Sequence, residues 1–303
     1  MAESHLTGSG PIYRRFRLLL LPYAAGIVLL VVFPAAVSFA LAFFHYDGLS
    51  PPRWAGMLNF ILAYTDELFA LSVQNSLALI ILPVPMRVLG AFLVARLMLR
   101  GGRLLPWLRA SIFLPTVLPG AAYALAWLWI FNPRFGPLNV ALAAVGLDAP
   151  AWLVDPLWAK PALVLMSLWQ IGEGFLVSLA ALQDLPAELE DAARIDGAGP
   201  RALFFTVTLP LLAPILILLL FRDAILTFQE SFTRILLTTE GGPYYATYTL
   251  PLFIHEQAFD LLSFGVASAA LWVLYALTGL IVLSLYVIAR QWNVGTTDET
   301  FVL

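Results

Sequence analysis

Four charged side chains interrupt apolar stretches that are each long enough to cross a lipid bilayer: Arg87, Glu173, Arg222 and Asp223. On insertion scales a charge at the centre of a bilayer costs about 2.5 to 3.5 kcal/mol, so charged residues at this depth are functional candidates. Two of the four are positive and two are negative, so their charges sum to zero. The sequence leaves two interpretations open: the four residues pair inside a helical bundle, or they line a water-filled cavity.

The first stripe of candidate binding residues surrounds Glu173. Gln170 precedes Glu173 by three positions and Trp169 precedes it by four. On a continuous helix, residues three and four apart are neighbours on one face. The spacing therefore predicts an aromatic ring and two hydrogen-bonding groups on the same face of a spanning helix.

A second stripe follows Asp223 at helical spacing. Thr227 and Glu230 lie four and seven positions after it, and Arg222 and Gln229 lie on the adjacent line of the same helix. Carboxylates and amides accept hydrogen bonds from hydroxyl groups, so the two stripes suit a polyhydroxylated ligand. They also suit an anionic sugar phosphate held by Arg87 and Arg222, and the sequence leaves both ligands open.

Several other chemistries are excluded by the residues present. Lys160 is the only lysine and no Walker A loop surrounds it, so the chain does not hydrolyse ATP in that way. The stretch "HEQAF" at His255 lacks the second histidine that a zinc-protease helix requires. There is no cysteine. The sequence thus predicts no catalytic site, no metal site and, because basic residues are scattered, no nucleic-acid binding.

The composition indicates which elements must position these residues. Hydrophobic residues make up 61% of the 303 positions and charged residues 12%, whereas soluble domains carry about 25% charge. A membrane-spanning helix needs about 20 mainly apolar residues. The sequence predicts an all-α, polytopic membrane protein with six transmembrane helices at about 18–44, 73–95, 110–131, 161–182, 205–227 and 266–289.

The distribution of basic residues predicts the orientation of these spans. Ten arginines lie near one set of helix ends and three arginines and a lysine near the other, where Arg234 is assigned to an outer loop. Cytoplasmic loops carry the excess of basic residues. The expected organisation is a cytoplasmic tail at 1–17, a single transmembrane domain at 18–290 and a second cytoplasmic tail at 291–303.

A short charged segment, "LPAELEDAARIDGAG", separates the fourth and fifth predicted spans. Asp184 is a candidate N-cap, Pro186 falls in the first turn, and Gly197 is a candidate stop, which together predict a helix on the cytoplasmic surface. Glu190 and Asp191 offer acceptors to a basic partner. The alternative interpretation is a solvated linker between the two spans.

This segment resembles the EAA motif of ATP-binding-cassette importer permeases, a Glu-Ala-Ala followed at fixed spacing by Gly and then by Ile-x-Leu-Pro. The matching positions hold Asp191, Ala192, Ala193, Gly197, Val207, Leu209 and Pro210. Aspartate replaces glutamate and valine replaces isoleucine. The spacing matches throughout.

The resemblance extends over nearly the whole chain. "NSLALIILPVPMRVLGAFLVARLMLRGG" and "RASIFLPTVLPGAAYALAWLWIFNPRFGPLN" are similar to the second and third spans of carbohydrate-type permeases, and "LLTTEGGPYYAT" resembles the loop after the fifth. This subfamily contains the maltose and glycerol-phosphate transporter permeases.

The resemblance implies a division of labour in a bacterial or archaeal cytoplasmic (inner) membrane. The chain would be a non-catalytic permease subunit that pairs with a second homologous permease, two ATPase subunits and an extracytoplasmic solute-binding protein. ATP and Mg would bind to the ATPase subunits and no cofactor to this chain. The residues implied to couple to the ATPase are Glu190, Asp191, Ala192, Ala193, Asp196, Gly197, Leu209 and Pro210.

The predicted solute is therefore a carbohydrate, and its pathway would be lined by Arg87, Trp169, Gln170, Glu173, Arg222, Asp223, Thr227, Gln229 and Glu230. One alternative is a permease of the same superfamily for a polyamine or an anion. A stand-alone channel or membrane enzyme is a further alternative from a different class.

Overall fold

A computed structural model describes the backbone of residues 11–99 and 103–291 and the side chains of residues 19–99 and 103–290. Most of the predicted N-terminal tail, Arg100 and nearly all of the predicted C-terminal tail lie outside the described residues. The described residues form two compact units, of which one holds 11–65 with 256–272 and the other holds 66–99 and 103–255 with 273–291.

The described elements, in chain order, are α1 (Pro11–Ile27), α2 (Phe33–Leu41), β1 (Phe44–His45), β2 (Arg53–Trp54), α3 (Leu58–Thr65), α4 (Glu67–Ile81), α5 (Pro83–Leu97), α6 (Leu105–Val117), α7 (Gly120–Ile130), α8 (Pro137–Ala144), α9 (Pro156–Trp169), α10 (Gly172–Gln183), α11 (Ala187–Ile195), α12 (Pro200–Leu203), α13 (Leu209–Thr238), α14 (Leu250–His255) and α15 (Phe264–Gln291). Single π-helical stretches occupy Val28–Val32, Phe204–Thr208 and Glu256–Asp260. Within the described ranges the only strands are the two-residue pair β1 and β2. The all-α prediction is confirmed.

The first unit has an ordered connection after α2. β1 and β2 pair antiparallel, with Phe44 opposite Trp54. The Asn59 side chain donates hydrogen bonds to the carbonyl oxygens of Ala42 (2.9 Å) and Phe44 (2.8 Å), which holds α3 against this pair. In the connection between β1 and β2, the Asp47 carboxyl accepts hydrogen bonds from the backbone N–H groups of Ser50 and Leu49, and these lower its pKa to about 2.

One hydrophobic core cluster of the second unit lies between α5, α10 and α13. Its buried side chains are Ala91, Phe92, Ala95, Phe175, Leu179, Leu182 and Leu212. Small residues on α5 let the aromatic and leucine side chains of α10 approach its backbone closely, as is usual between membrane helices. This packing holds α10 against α5.

Two of the predicted spans are broken helices. α6 and α7 meet at 107°, and α9 and α10 meet at 45°. At the first break, Leu118 and Pro119 are extended (ψ 134° and 136°), because a proline disfavours helical geometry in the residue before it. At the second break, Gln170 leaves helical geometry (φ −91°, ψ 50°) and two glycines, Gly172 and Gly174, follow.

Among the described residues, four continuous helices are long and apolar enough to cross a membrane, or up to six spans are present if each bent pair forms one span. The continuous ones are Leu19–Leu41, Glu67–Leu97, Pro200–Thr238 and Phe264–Arg290. The count of six stays a prediction. The helix that holds the fifth predicted span continues beyond residue 227 to Thr238.

Gly172 gives a test of the second break. A Cβ atom there would lie 2.8 Å from the Phe113 Cα and 2.9 Å from the Ile112 carbonyl oxygen, both backbone atoms of α6. Gly172→Ala is expected to destabilise the protein by about 1 to 3 kcal/mol through overpacking. The measurement is the apparent melting temperature of the purified protein in detergent.

The matched control for this substitution is Gly90→Ala on α5, where a Cβ would have nothing within 4 Å. Alanine is favoured over glycine by about 0.5 to 1 kcal/mol within a helix, so this variant should melt at the same temperature as the unmodified protein or above it. Equal melting temperatures for the two variants would contradict the close contact at Gly172.

Candidate functional site

A buried ion pair connects α5 to α13. Arg87 Nε lies 3.5 Å from Asp223 Oδ2, and the two side chains are only 8% and 7% exposed. Arg87 also donates from Nη2 to the carbonyl oxygen of Gln170 at 3.1 Å. That carbonyl lies at the α9–α10 break, where it has no helical partner, so Arg87 satisfies a backbone group that a membrane span would otherwise leave unpaired.

Arg222 extends the pair into a network. Its guanidinium contacts Glu173 on α10 and lies 3.1 Å from Asp223 Oδ1. Arg222 and Glu173 are 36% and 48% exposed, in contrast to the buried pair beside them. The four charges singled out in the sequence are thus brought together, and Arg87, Glu173 and Arg222 also line a cavity.

Arg234 is a member of this site that the sequence analysis missed. It was assigned to an outer loop, but it lies on α13 with its side chain only 8% exposed. Nη2 lies 3.1 Å from Glu230 Oε2, and Nη1 donates to Gln170 Oε1 at 3.2 Å. The sequence did contain a pattern that could have identified this residue, because Arg234 lies four positions after residue 230 and continues the series 223, 227, 230 on the same helical face.

A cavity of about 270 Å³ lies where the two broken helices face α13. It is lined by Thr116, Leu118, Gly120, Tyr123, Gln170, Gln229, Glu230, Thr233 and Arg234. A smaller space of about 40 Å³ shares three of these residues and is lined by Arg87, Thr116, Gln170, Glu173, Arg222, Leu226 and Glu230. Both helix breaks therefore contribute to one polar region, which is the usual position of a solute site in transporters with discontinuous helices.

Three of the predicted pathway residues are placed differently from the expectation. Trp169 does not share a helical face with Glu173, because the helix breaks between them, and its ring packs edge-on against Trp127 at 5.2 Å. Thr227 is buried, and its hydroxyl donates to the Asp223 carbonyl oxygen at 2.7 Å. Asp223 itself is 5% exposed and lies behind the arginines. Arg87, Gln170, Glu173, Arg222, Gln229 and Glu230 do line the polar region.

The charged segment forms a helix, α11, but its start differs from the prediction. The N-cap is Pro186, with extended geometry (ψ 119°), whereas Asp184 has helical geometry (φ −83°, ψ −5°) and ends α10. An N-cap residue needs extended backbone geometry to direct its side chain at the first helical N–H groups. Asp184 is therefore a helix-ending residue and not an N-cap.

The surface of α11 has an apolar stripe beside paired charges. Arg194 makes ion pairs of 3.2 Å with both Glu190 and Asp191. Leu189 and Ile195 are 44% and 87% exposed on the same helix. The two carboxylates predicted as acceptors for a partner are therefore already paired within the helix, and a large apolar side chain, Ile195, is highly exposed beside them.

Gly197 ends this segment in a left-handed conformation (φ +86°). Its N–H donates to the Arg194 carbonyl oxygen at 3.0 Å, and Ala198 N–H donates to that of Ala193 at 2.9 Å. This is the glycine-terminated helix end that the sequence predicted. After α12 and a π-helical stretch, Leu209 and Pro210 form the first turn of α13.

These observations define a class of protein: a helical membrane protein in which a polar cavity forms at broken spanning helices and a charged helix lies outside them. Among the described residues no group of three or more His, Cys, Asp or Glu could hold a metal ion. Residues 87–293 match the family described as "Binding-protein-dependent transport system inner membrane component". The chain belongs to this family.

Curated relatives support the same assignment. The chain is 33% identical to the probable ABC transporter permease protein YesP of Bacillus subtilis, over 89% of each chain. It is 33% identical to the sulfoquinovosyl glycerol transport system permease SmoG of Agrobacterium fabrum (86% and 85% covered). It is 34% identical to the sn-glycerol-3-phosphate transport system permease UgpA of Yersinia enterocolitica (90% and 94% covered). The resemblance to ABC importer permeases is confirmed, and such permeases are non-catalytic transport subunits.

A solved structure supports the fold. A chain of a bacterial ABC transporter involved in the import of the acidic polysaccharide alginate aligns with a TM-score of 0.78 at 22% identity, covering 95% of this chain and 98% of that one. A chain of a bacterial alginate ABC transporter in complex with an alginate pentasaccharide-bound periplasmic protein aligns with a TM-score of 0.77 at 22% identity, covering 92% of this chain and 96% of that one. Multi-pass insertion in an inner membrane fits these findings, and the side on which the termini lie stays a prediction.

Proposed function

We propose that this chain forms half of the translocation pathway of an ATP-driven importer for a carbohydrate. Its partners would be a second homologous permease, two ATPase subunits that bind ATP and Mg, and an extracytoplasmic solute-binding protein. The observation that carries the proposal is the polar cavity at the two helix breaks, in a chain of the binding-protein-dependent transport family.

The chemistry of the cavity lining supports a carbohydrate. Two amides, two half-exposed carboxylates and two threonines face the polar region, and they offer acceptors and donors to a ring of hydroxyl groups. Relatives named for a sugar derivative and for a glycerol phosphate support the same solute class. A polyamine or an inorganic anion, which other permeases of the superfamily carry, is the alternative that the experiment below distinguishes.

The position of α11 supports its role in coupling to the ATPase. α10 runs from the break at Gln170 to Gln183, and α11 begins at Ala187. A partner that moves α11 would therefore move α10, whose first turn carries Glu173 into the polar region. In this proposal Leu189, Ala192 and Ile195 contact the ATPase subunit, and Gly197 fixes the end of the docking helix.

Co-purification and uptake test the proposed function. The chain is expressed with the permease, ATPase and binding-protein genes next to its own, purified as a complex and placed in proteoliposomes. ATP-dependent uptake of a sugar is expected. Recovery of an active transport complex that lacks any ATPase subunit, or uptake of spermidine or sulfate in place of every sugar, would contradict the proposal.

Cavity carboxylates give a sharper prediction. Glu173→Gln and Glu230→Gln each remove a charged acceptor, and a hydrogen bond to a charged group contributes about 1.5 to 3 kcal/mol. Uptake efficiency of the transported sugar should fall about 10-fold to 100-fold. The matched control is Asp148→Asn, an exposed carboxylate outside the cavity lining. Unchanged uptake in both glutamine variants, with normal assembly, would show that the cavity does not contact the solute.

A further inference from the structure

The charges around the polar region balance. Arg87, Arg222 and Arg234 supply three positive charges, and Glu173, Asp223 and Glu230 supply three negative ones. Each arginine contacts at least one of these carboxylates, either at 3.1 to 3.5 Å or in the closer Arg222–Glu173 pair. An anionic solute would therefore bring an uncompensated negative charge into a region surrounded by apolar helices, where an unpaired charge is costly.

The positively and negatively charged side chains of this region differ in how far they are exposed. The guanidinium groups of Arg87 and Arg234 are each only 8% exposed, whereas the carboxylates of Glu173 and Glu230 are 48% and 46% exposed. Arg222 is 36% exposed, but its guanidinium already contacts two carboxylates. Among the charged groups that line the polar region, the two glutamates are therefore much more exposed than Arg87 and Arg234.

Arg87 retains free hydrogen-bonding capacity in this network. Its Nη1 and Nε are buried and have no hydrogen-bond partner, although Nε lies within ion-pair distance of Asp223. The charge of the same guanidinium is already compensated by Asp223 at 3.5 Å. The guanidinium therefore lacks a hydrogen-bond acceptor at Nη1 and does not need a further negative charge. A hydroxyl oxygen, a ring oxygen or a water molecule is sufficient to accept this hydrogen bond.

From this arrangement we propose that the cavity of this chain selects an uncharged, hydroxyl-rich carbohydrate over carboxylated, sulfonated or phosphorylated sugars. Sugar hydroxyls would donate to Glu173 and Glu230, and these hydrogen bonds are strengthened by the negative charge of the acceptor. An acidic group in the same place would be repelled by both. The inference rests on the proposed function and goes further, because the relatives SmoG and UgpA are named for a sulfonated and a phosphorylated solute, sulfoquinovosyl glycerol and glycerol 3-phosphate.

The absence of cysteine from the chain permits a test that needs no known substrate. Gln229→Cys places a single thiol in the cavity lining, and Ala141→Cys places one at an exposed position of α8. Both variants are made in the assembled complex with its partners free of cysteine. Rates of reaction are then measured with hydroxyethyl (neutral), trimethylammonioethyl (cationic) and sulfonatoethyl (anionic) methanethiosulfonates.

The ratio of the anionic to the neutral reaction rate is expected to be at least 10-fold lower at residue 229 than at residue 141. Glu173→Gln and Glu230→Gln in the Gln229→Cys background should each reduce that discrimination. An anionic reagent that reacts as fast as the neutral one, or faster, overturns the inference.

Uptake by the complex separates this inference from the proposed function. The uncharged probes are maltose, raffinose and cellobiose, and the charged ones are glucuronate, glucose 6-phosphate and spermidine. Preferred uptake of an uncharged sugar supports both proposals. Equal or better uptake of an anionic sugar overturns only the charge selectivity, whereas uptake of spermidine without any sugar overturns the proposed function itself.

Discussion

Arg87→Met should destabilise the protein more than any other single substitution among the charged residues of the cavity. It leaves the Asp223 carboxylate buried with only Arg222 for compensation and removes the donor to the Gln170 carbonyl oxygen. Breaking a buried ion pair from one side costs about 3 to 5 kcal/mol. The apparent melting temperature in detergent is therefore expected to fall by on the order of 10 °C.

The control for this variant is the double substitution Arg87→Met with Asp223→Leu. Buried pairs replaced on both sides by apolar side chains of similar volume are often as stable as the original, so the double variant should recover most of the lost melting temperature. The Gln170 carbonyl oxygen would still lack its donor, and this should prevent complete recovery. A double variant that is less stable than Arg87→Met would contradict the assignment of the pair as mutually compensating.

Gly197→Val is expected to uncouple ATP hydrolysis from uptake. Valine is strongly disfavoured at φ +86°, where residues other than glycine, asparagine and aspartate pay about 1 to 2 kcal/mol, so the end of α11 should change conformation. Uptake by the reconstituted complex should fall at least tenfold while ATPase activity continues, and the same preparation provides both measurements.

Gly197→Asn separates backbone conformation from side-chain bulk. A Cβ at this position would have nothing within 4 Å in this chain, so the conformation is the main constraint, and asparagine tolerates left-handed geometry. The asparagine variant should retain most of its coupled uptake. If the valine and asparagine variants lose uptake equally, the critical feature is the space that a partner occupies next to Gly197. If both transport normally, α11 does not need its glycine end for coupling.

Composition and periodicity were sufficient to predict the all-α membrane fold and the polar stripe on α13, because both depend on local sequence. The stripe on α13 is a helical stripe as predicted, although Asp223 and Thr227 turn out to be buried and bonded within the chain. The glycine end of α11 was also predictable, because a left-handed residue after a helix is most often glycine.

The break at Gln170 could not be predicted, because its stability depends on residues distant in sequence. Arg87 on α5 donates a hydrogen bond to the Gln170 carbonyl oxygen, and Arg234 on α13 donates one to the Gln170 side chain. The mainly apolar stretch "ALVLMSLWQIGEGFLVSLAAL" is long enough for one helix, and only these two contacts show why it is broken. The failed face shared by Trp169 and Glu173 follows from this gap, whereas Arg234 was misplaced because α13 continues to Thr238.

The break at Gln170 also allows a small change of angle to produce a displacement of several ångströms at the far end of α10. The 12 residues of α10 span about 18 Å at 1.5 Å per residue. A swing of roughly 10° about the break would therefore carry the far end of α10 through about 3 Å. The joint is already bent by 45°, so if a partner subunit displaces the far end of α10 by a few ångströms, as the proposed coupling requires, this displacement needs only a small change in an existing angle.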